Sequence, residues 1–265
     1  MPRLIMHHGL TKSTFDASQL KKELENKHIT FLPLDEQLAL LDQLREFELG
    51  RFLLANKRLN GYWTSYIIIH GLKKEKLHPL ERWILYHAPS VKATQERFKI
   101  FQKILQDKLE DGMKFISVPC GTMDDLLTLD YSEIKEMHLT GIDLDAIALE
   151  LAQENAKNHH LTHVNFQDAW NLDIHEEYDI LMSNGLNIYE FDDDKVTDLY
   201  KQFSKVLKPS GILIASFLTP PPTLSKESTW KNINTEDALK QKTIFSDIIN
   251  AAWQVFRTEA ETLNS

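Results

Sequence analysis

The spacing of apolar positions along this chain changes once, near residue 113. Before that point it is helical. "LDEQLALLDQLREFELGRFLLAN" (34–56) places Leu38, Leu41, Leu44 and Phe52 at helical intervals, with Asp35 and Glu36 in the opening turn, and predicts one helix. "PLERWILYHAPS" predicts a short helix opened by Pro79 and stopped by Pro89. From Ser90 onward Val91, Phe98, Phe101 and Leu105 share one helical face, and the helix ends before Gly112. After residue 113 the runs shorten to "KFISV", "MHLTGI", "HVNFQ", "YDILMS" and "GILIASFL". Helical stretches such as "TMDDLLTL", "DAIALELAQENAKNH" and "DKVTDLYKQFSKVLK" separate most of them. Strand–helix alternation with short connections predicts right-handed βαβ units. The expected fold is therefore α/β: a doubly wound, mostly parallel sheet with helices on both faces, preceded by an all-helical cap.

In such sheets ligands bind beyond the carboxyl ends of the strands. The first strand runs into "SVPCGTMDD" (117–125). Pro119 cannot adopt the positive φ of a dinucleotide fingerprint's first glycine, whereas Gly121 can. Met123 stands where a third glycine would admit a pyrophosphate, and Thr122 with Asp125 forms a capping pattern. Asp124 and Asp125 in the opening turn would repel a pyrophosphate there, so the loop suits a ligand carrying positive charge. Asp143, 22 residues beyond Gly121, is placed to accept hydrogen bonds from ribose hydroxyls, and Asp145 reads as a helix cap. Asp168 could accept from an adenine amino group and Ala169 could offer its backbone N–H. Gly185, after Asn184, lets the chain pass close to a ligand.

Residues 113–218 resemble the core of class I S-adenosylmethionine-dependent methyltransferases. The matching stretches are "ISVPCGT", "GIDLDAIALELAQENA", "VNFQDAWNLD", "YDILMSNGLNIYE" and "FSKVLKPSGILIASF". The resemblance implies S-adenosyl-L-methionine as cofactor, a Rossmann-like fold and methyl transfer. It implies that Ser117, Val118, Pro119, Cys120 and Gly121 wrap the methionine portion and that Asp143 binds the ribose. Leu144 would pack on adenine, and Asp168 with Ala169 would read its edge. Asn184 and Gly185 would border the methionine side. Three departures stand out: Ser117 replaces an acid, Pro119 and Met123 replace glycines, and the family's closing antiparallel strand pair is missing. Residues 235–265 read instead as a final helix. That leaves either a truncated chain or an exposed fifth strand guarded by "TPPP" at 219–222.

The acceptor side is expected between the strand ends and the cap. "NGYWTSYIIIHG" holds Tyr62, Trp63, Tyr66 and His70, with Tyr66 and His70 four residues apart. They read either as an aromatic lid with His70 as general base or as an aromatic core seam with a hydrogen-bonded histidine. Tyr189 and Glu190 are further candidates on the acceptor side. Arg97, in the helix before the first strand, could hold the cofactor's carboxylate or form a surface ion pair. No Asn-Pro-Pro-Tyr stretch follows the fourth strand, so the acceptor stays unassigned. "HHLTH" (159–163) has metal-like spacing but reads as a solvated connection, and no metal is expected.

Composition narrows this further. One cysteine, Cys120, excludes an internal disulfide and fits a reducing cytoplasm. No signal peptide and no membrane-spanning run is recognisable. Residues 1–110 carry a formal charge of +5 and residues 111–265 one of −14, giving −9 overall. The shift suggests a boundary near residue 110 between a helical, substrate-side region (1–110) and a cofactor-binding domain (111–265). The expected activity is methyl transfer to a small-molecule O or N acceptor, without membrane or nucleic-acid partners, as a monomer or a homodimer. The alternatives are an RNA methyltransferase using the basic amino-terminal part, or a catalytically silent binding protein of the same fold.

Overall fold

The computed structural model describes residues 15–26, 31–157, 162–166, 169, 172–175, 177–222, 224–252 and 255–263. Its centre is a five-stranded parallel sheet: β1 (Lys114–Ser117), β2 (His138–Asp143), β3 (Thr162–Phe166), β4 (Tyr178–Asn184) and β5 (Leu207–Ser216). The order is β3-β2-β1-β4-β5, so the chain reverses direction across the sheet between β1 and β4. That switch opens a crevice at the carboxyl ends of these two strands. The strands read as unbroken apolar runs because both faces are covered. Phe115, Leu139, Ile180 and Met182 pack on α6 (Pro89–Asp107), α7 (Asp124–Leu127) and α8 (Ala146–Ala156). Ile116, Ile142 and Leu181 pack on Leu199, Phe203 and Val206 of α9 (Asp193–Val206).

β5 is the last strand of the sheet among the described residues, and its Ile212 and Leu213 are partly exposed. Its pairing with β4 jumps from Tyr178↔Leu207 to Ile180↔Ile212, so Lys208–Gly211 loops out before regular pairing begins.

Three helical expectations change. The segment 34–56 forms two helices, α2 (Leu34–Leu44) and α3 (Glu48–Asn56), because Phe47 adopts an extended conformation and buries its ring. α3 then folds back so tightly that a Cβ on Gly50 would stand 2.1 Å from the Leu44 carbonyl oxygen. The helix expected over 122–129 is a single turn, α7. At the carboxyl end, α10 (Thr235–Lys242) runs into a π-helical turn, Thr243–Ile248, and the chain then leaves helix until the short α11 (Glu259–Leu263).

The π-helical turn belongs to the core of the cap, not to that of the sheet. Ile244, Phe245, Ile248 and Ile249 join Leu41 and Leu44 of α2, Leu53 of α3, and Ile84 of α5 (Pro79–Tyr86). Around them lie α1 (Ala17–Glu25) and α4 (Gly61–Ser65), which continues as a π-helical turn, Tyr66–His70. Both ends of the chain thus build one helical layer. Ile248, 1% exposed, tests this: Ile248→Ala should lower unfolding free energy by about 2–5 kcal/mol in urea titrations. Leu263→Ala, at an exposed position, should change it by no more than about 0.5 kcal/mol.

Candidate active site

The turn after β1 is packed rather than open. Gly121 (φ +50°) and Met123 (φ +58°) both adopt left-handed conformations. Met123 is fully buried, and a Cβ on Gly141 of β2 would stand 2.5 Å from its Sδ and 2.9 Å from Cys120 Sγ. The methionine in the third-glycine position therefore fills the gap that Gly141 leaves. The close approach permitted by Gly121 is made by another backbone: a Cβ on Gly61, the first residue of α4, would stand 3.0 Å from Gly121 Cα and 2.6 Å from Ala148 Cβ. The cap rests directly on this loop.

The aspartate pair behaves differently from its sequence reading. Met123, not Thr122, precedes α7 as its cap residue, and the Thr122 hydroxyl donates instead to Asp124 Oδ2 (2.6 Å). Both aspartates are buried rather than presented to a ligand at an open helix end. Asp125 accepts from Ser117 Oγ (3.3 Å) and from the Leu126 N–H (3.1 Å). Burial, followed by the neighbouring Asp124, pushes its pKa up to about 7. Burial also raises that of Asp124, against the pull of Ser65, Thr122 and the Lys73 charge. Ser65 lies close to Asp124, yet neither its Oγ nor Asp124 Oδ1 has a hydrogen-bond partner of normal geometry.

At the end of β2, Asp143 fastens the loop. Its Oδ2 accepts the Gly121 N–H (2.8 Å) and its Oδ1 the Asp145 N–H (2.9 Å). Burial raises its pKa, and these bonds oppose the rise. Asp145 caps α8 through the Ile147 N–H, as its position predicts. Leu144 is 54% exposed, a free apolar surface at the strand end. Ala169 is buried, and Asp168 lies outside the described residues. The same holds for His159 and His160, whereas His163 is a β3 residue paired with Thr140.

At the end of β4, Asn184 Oδ1 accepts from Ser216 Oγ (3.0 Å). Gly185 (φ +84°) follows, and a Cβ there would stand 3.5 Å from Arg97 Nη1. Arg97 forms no surface ion pair. Its guanidinium is largely interior, its Nε has no partner, and burial lowers its pKa. An arginine nevertheless stays protonated near neutral pH, so an unpaired cation lies against the carboxyl end of β4. Tyr189, in the 3-10 turn Asn187–Tyr189, is close enough to feel the charges of Arg97 and Arg58, although burial still raises its pKa.

The aromatic stretch resolves mainly as a core seam. Trp63 lies 5.0 Å from both Tyr62 and Tyr66, edge to face, and all three are buried. The Tyr66 hydroxyl donates to the buried Glu81 (2.6 Å), and burial with this bond drives its pKa far up, so it is held as a structural phenol. His70 is not hydrogen-bonded through Nε2, which is buried without a partner. Burial, then the Lys73 charge, lowers its pKa, leaving a neutral ring near pH 7. Glu190 is engaged locally, accepting the Asp192 N–H (3.0 Å) and facing Lys195 (3.5 Å).

Two participants carry no sequence signal. Arg257, 5% exposed, donates to the carbonyls of Asn187 (2.9 Å) and Glu190 (2.7 Å) and to Asp193 Oδ1 (2.9 Å). Asn187 donates Nδ2 to Tyr200 (2.7 Å) while its Oδ1 stays unpartnered. These partners are 13 to 70 residues apart, beyond any local motif.

Comparison with known proteins fits this geometry. A family model described as a methyltransferase domain matches residues 109–260. Ribosomal protein L11 methyltransferase from Dictyoglomus thermophilum is 31% identical over 115 residues, 43% of this chain and 35% of that protein. Demethylmenaquinone methyltransferase from Staphylococcus saprophyticus is 24% identical over 155 residues, 57% of this chain and 66% of that protein. The chain thus spans about a third of the length of the L11 enzyme it matches. A crystal structure of a possible exported protein from Bordetella parapertussis is 42% identical, with a TM-score of 0.88 over 93% of this chain and 84% of that one.

Two measurements test the loop. The folded-state pKa of Asp125, about 7, exceeds the ordinary carboxylate value of about 3.9. The native state therefore binds this proton more tightly than the unfolded chain, so stability falls as pH rises from about 4 to 7. Asp125→Asn should remove that component and flatten melting temperature against pH. Gly61→Ala should cost about 1–3 kcal/mol through overpacking against Gly121 and Ala148; unchanged urea stability would contradict the contact.

Proposed function

Since the chain belongs to the methyltransferase-domain family, the class I enzymes whose cofactor is S-adenosyl-L-methionine, we propose that it methylates a small-molecule O or N acceptor held between the cap and the carboxyl ends of the strands. One observation carries this reading. Ser65 Oγ, His70 Nε2, Arg97 Nε, Asp124 Oδ1 and Asn187 Oδ1 are all buried without partners. They sit on the cap's α4 and π-helical turn, on α6 and α7, and on the turn after β4. An unmet buried polar group costs about 1–3 kcal/mol, so native structures rarely keep several together without a ligand to meet them.

The residues present fit the cofactor. Asp143 offers carboxylate oxygens to ribose hydroxyls, and Leu144 offers its exposed side chain to the adenine face. Arg97, beside Gly185, matches the cofactor's carboxylate, a charge-assisted pairing for a cation that has none. Ser117, Val118, Pro119, Cys120 and Gly121 then border the methionine portion, with Asn184 and Gly185 opposite. When bound, S-adenosylmethionine supplies an activated methyl group for in-line displacement. The protein's part is alignment and exclusion of water. His70, neutral near pH 7 with a free Nε2, is placed to accept a proton from an acceptor that arrives protonated. Tyr189 flanks the acceptor side, whereas Tyr66 and Glu190 hold structure.

The two named relatives act on different acceptors, a ribosomal protein and demethylmenaquinone. The buried position of the unmatched atoms favours the smaller molecule here. No helix of the described residues is long and apolar enough to cross a membrane. The single unpaired cysteine, Cys120, supports a cytoplasmic setting.

Calorimetry with S-adenosylhomocysteine tests the assignment. The parent chain should bind it. Asp143→Ala and Arg97→Met should each weaken binding by on the order of tenfold or more, as removal of hydrogen bonds to charged groups predicts. Absence of binding at millimolar ligand would refute the reading.

A further inference from the structure

We propose that Arg257 is a positioning residue for the acceptor side of the cleft, locking the turn after β4 so that Asn187 Oδ1 receives an N–H or O–H donor of the methyl acceptor. The inference rests on the methyltransferase reading and adds to it both a residue and a chemical requirement on the substrate. The Arg257 guanidinium is 5% exposed and uses all its nitrogens on one short segment. Nη1 donates to the Asn187 carbonyl, Nη2 to the Glu190 carbonyl, and Nε to Asp193 Oδ1 at the start of α9. The backbone beside it continues the seam. The Arg257 N–H donates to the Leu218 carbonyl (2.8 Å) and the Val255 N–H to the Ile188 carbonyl (3.3 Å). Residues 255–257 therefore tie the turn after β4 to the chain leaving β5, on the edge of the sheet where ligands bind.

That turn holds Asn187 from both ends. Its carbonyl is bound by Arg257, and its Nδ2 donates to the Tyr200 hydroxyl on α9. Neither can release without breaking a bond, so the amide plane is fixed and Oδ1 is left buried with nothing to accept from. The preceding asparagine is unsuitable, because Ser216 already occupies Asn184 Oδ1. An acceptor-only oxygen held rigidly near the methyl-transfer region selects substrates that present a hydrogen-bond donor: an amine, an amide or a hydroxyl. The Asp193 end of the arginine contributes less, since that carboxylate is 77% exposed and screened by solvent. The bonds to the two carbonyls set the turn.

The test uses the full chain with S-adenosylhomocysteine as the cofactor probe and a low-molecular-mass cell extract as the acceptor pool, with methyl-labelled S-adenosylmethionine. Arg257→Ala should raise amide exchange of residues 186–193 by on the order of tenfold while exchange in β1 and β2 stays at the parent level. Affinity for S-adenosylhomocysteine should hold within about twofold, and turnover should fall with KM for S-adenosylmethionine unchanged, the pattern of a loss made only in the transition state. Millimolar guanidinium should restore both protection and turnover. Arg257→Lys, which keeps the charge but not the planar fork, should behave like the alanine variant and covers the case in which alanine does not fold. Unchanged exchange in 186–193, exchange that rises throughout the sheet, or a rise in KM for S-adenosylmethionine at constant turnover would each overturn the positioning role. Failure of the parent chain to bind S-adenosylhomocysteine would instead count against the methyltransferase reading.

Discussion

The contact on which the site depends is made by two residues without side chains. Gly61, opening α4, rests on Gly121 in the turn after β1, with no room for a Cβ on Gly61. That contact fixes the height of the cap over the carboxyl ends of the strands. With the cap this close, Ser65 faces Asp124 and the π-helical turn brings His70 into the interior. α6, which packs on the same turn, carries Arg97 to Gly185. A side chain at either glycine would lift the layer and expose these groups to water, where their lack of partners would not matter. Held down, they are buried and unmatched.

The same contact accounts for the unusual loop. A fingerprint glycine serves where a ligand must touch backbone. Here Met123 packs on Gly141, Cys120 packs beside it, and Asp143 takes the Gly121 N–H. The loop is thus held by its own side chains and by the cap. Selectivity for a cationic donor over a pyrophosphate then follows from the groups at the rim, Asp143 and the buried aspartates, together with a single guanidinium sized for one carboxylate. The buried aspartates also cost stability above their raised pKa values, the opposite of what two acids at an exposed helix start would do.

What could be read from sequence was local. Strand–helix alternation gave the five strands, because period and length are properties of short windows. Asp143 and Asp145 stood out because each acts within a few residues of a strand end or a helix start. Where distant parts of the chain meet, sequence reasoning failed. The helix over 34–56 breaks because Phe47 finds a tertiary site. Ile244 to Ile249 look like the helix closing the sheet domain but complete the cap. Tyr66 looked like a lid residue until Glu81, 15 residues on, claimed its hydroxyl. Arg257 and Asn187 had no signature at all, since their roles come from contacts as much as 70 residues apart.

The central claim is that the unmatched groups under the cap are matched by the methyl donor and its acceptor. A crystal structure of the full chain with S-adenosylhomocysteine tests it most directly. The account predicts the ribose hydroxyls on the Asp143 carboxylate and the ligand's own carboxylate on the Arg97 guanidinium beside Gly185. A ligand seated elsewhere, or one that leaves Arg97 without a partner, would contradict it.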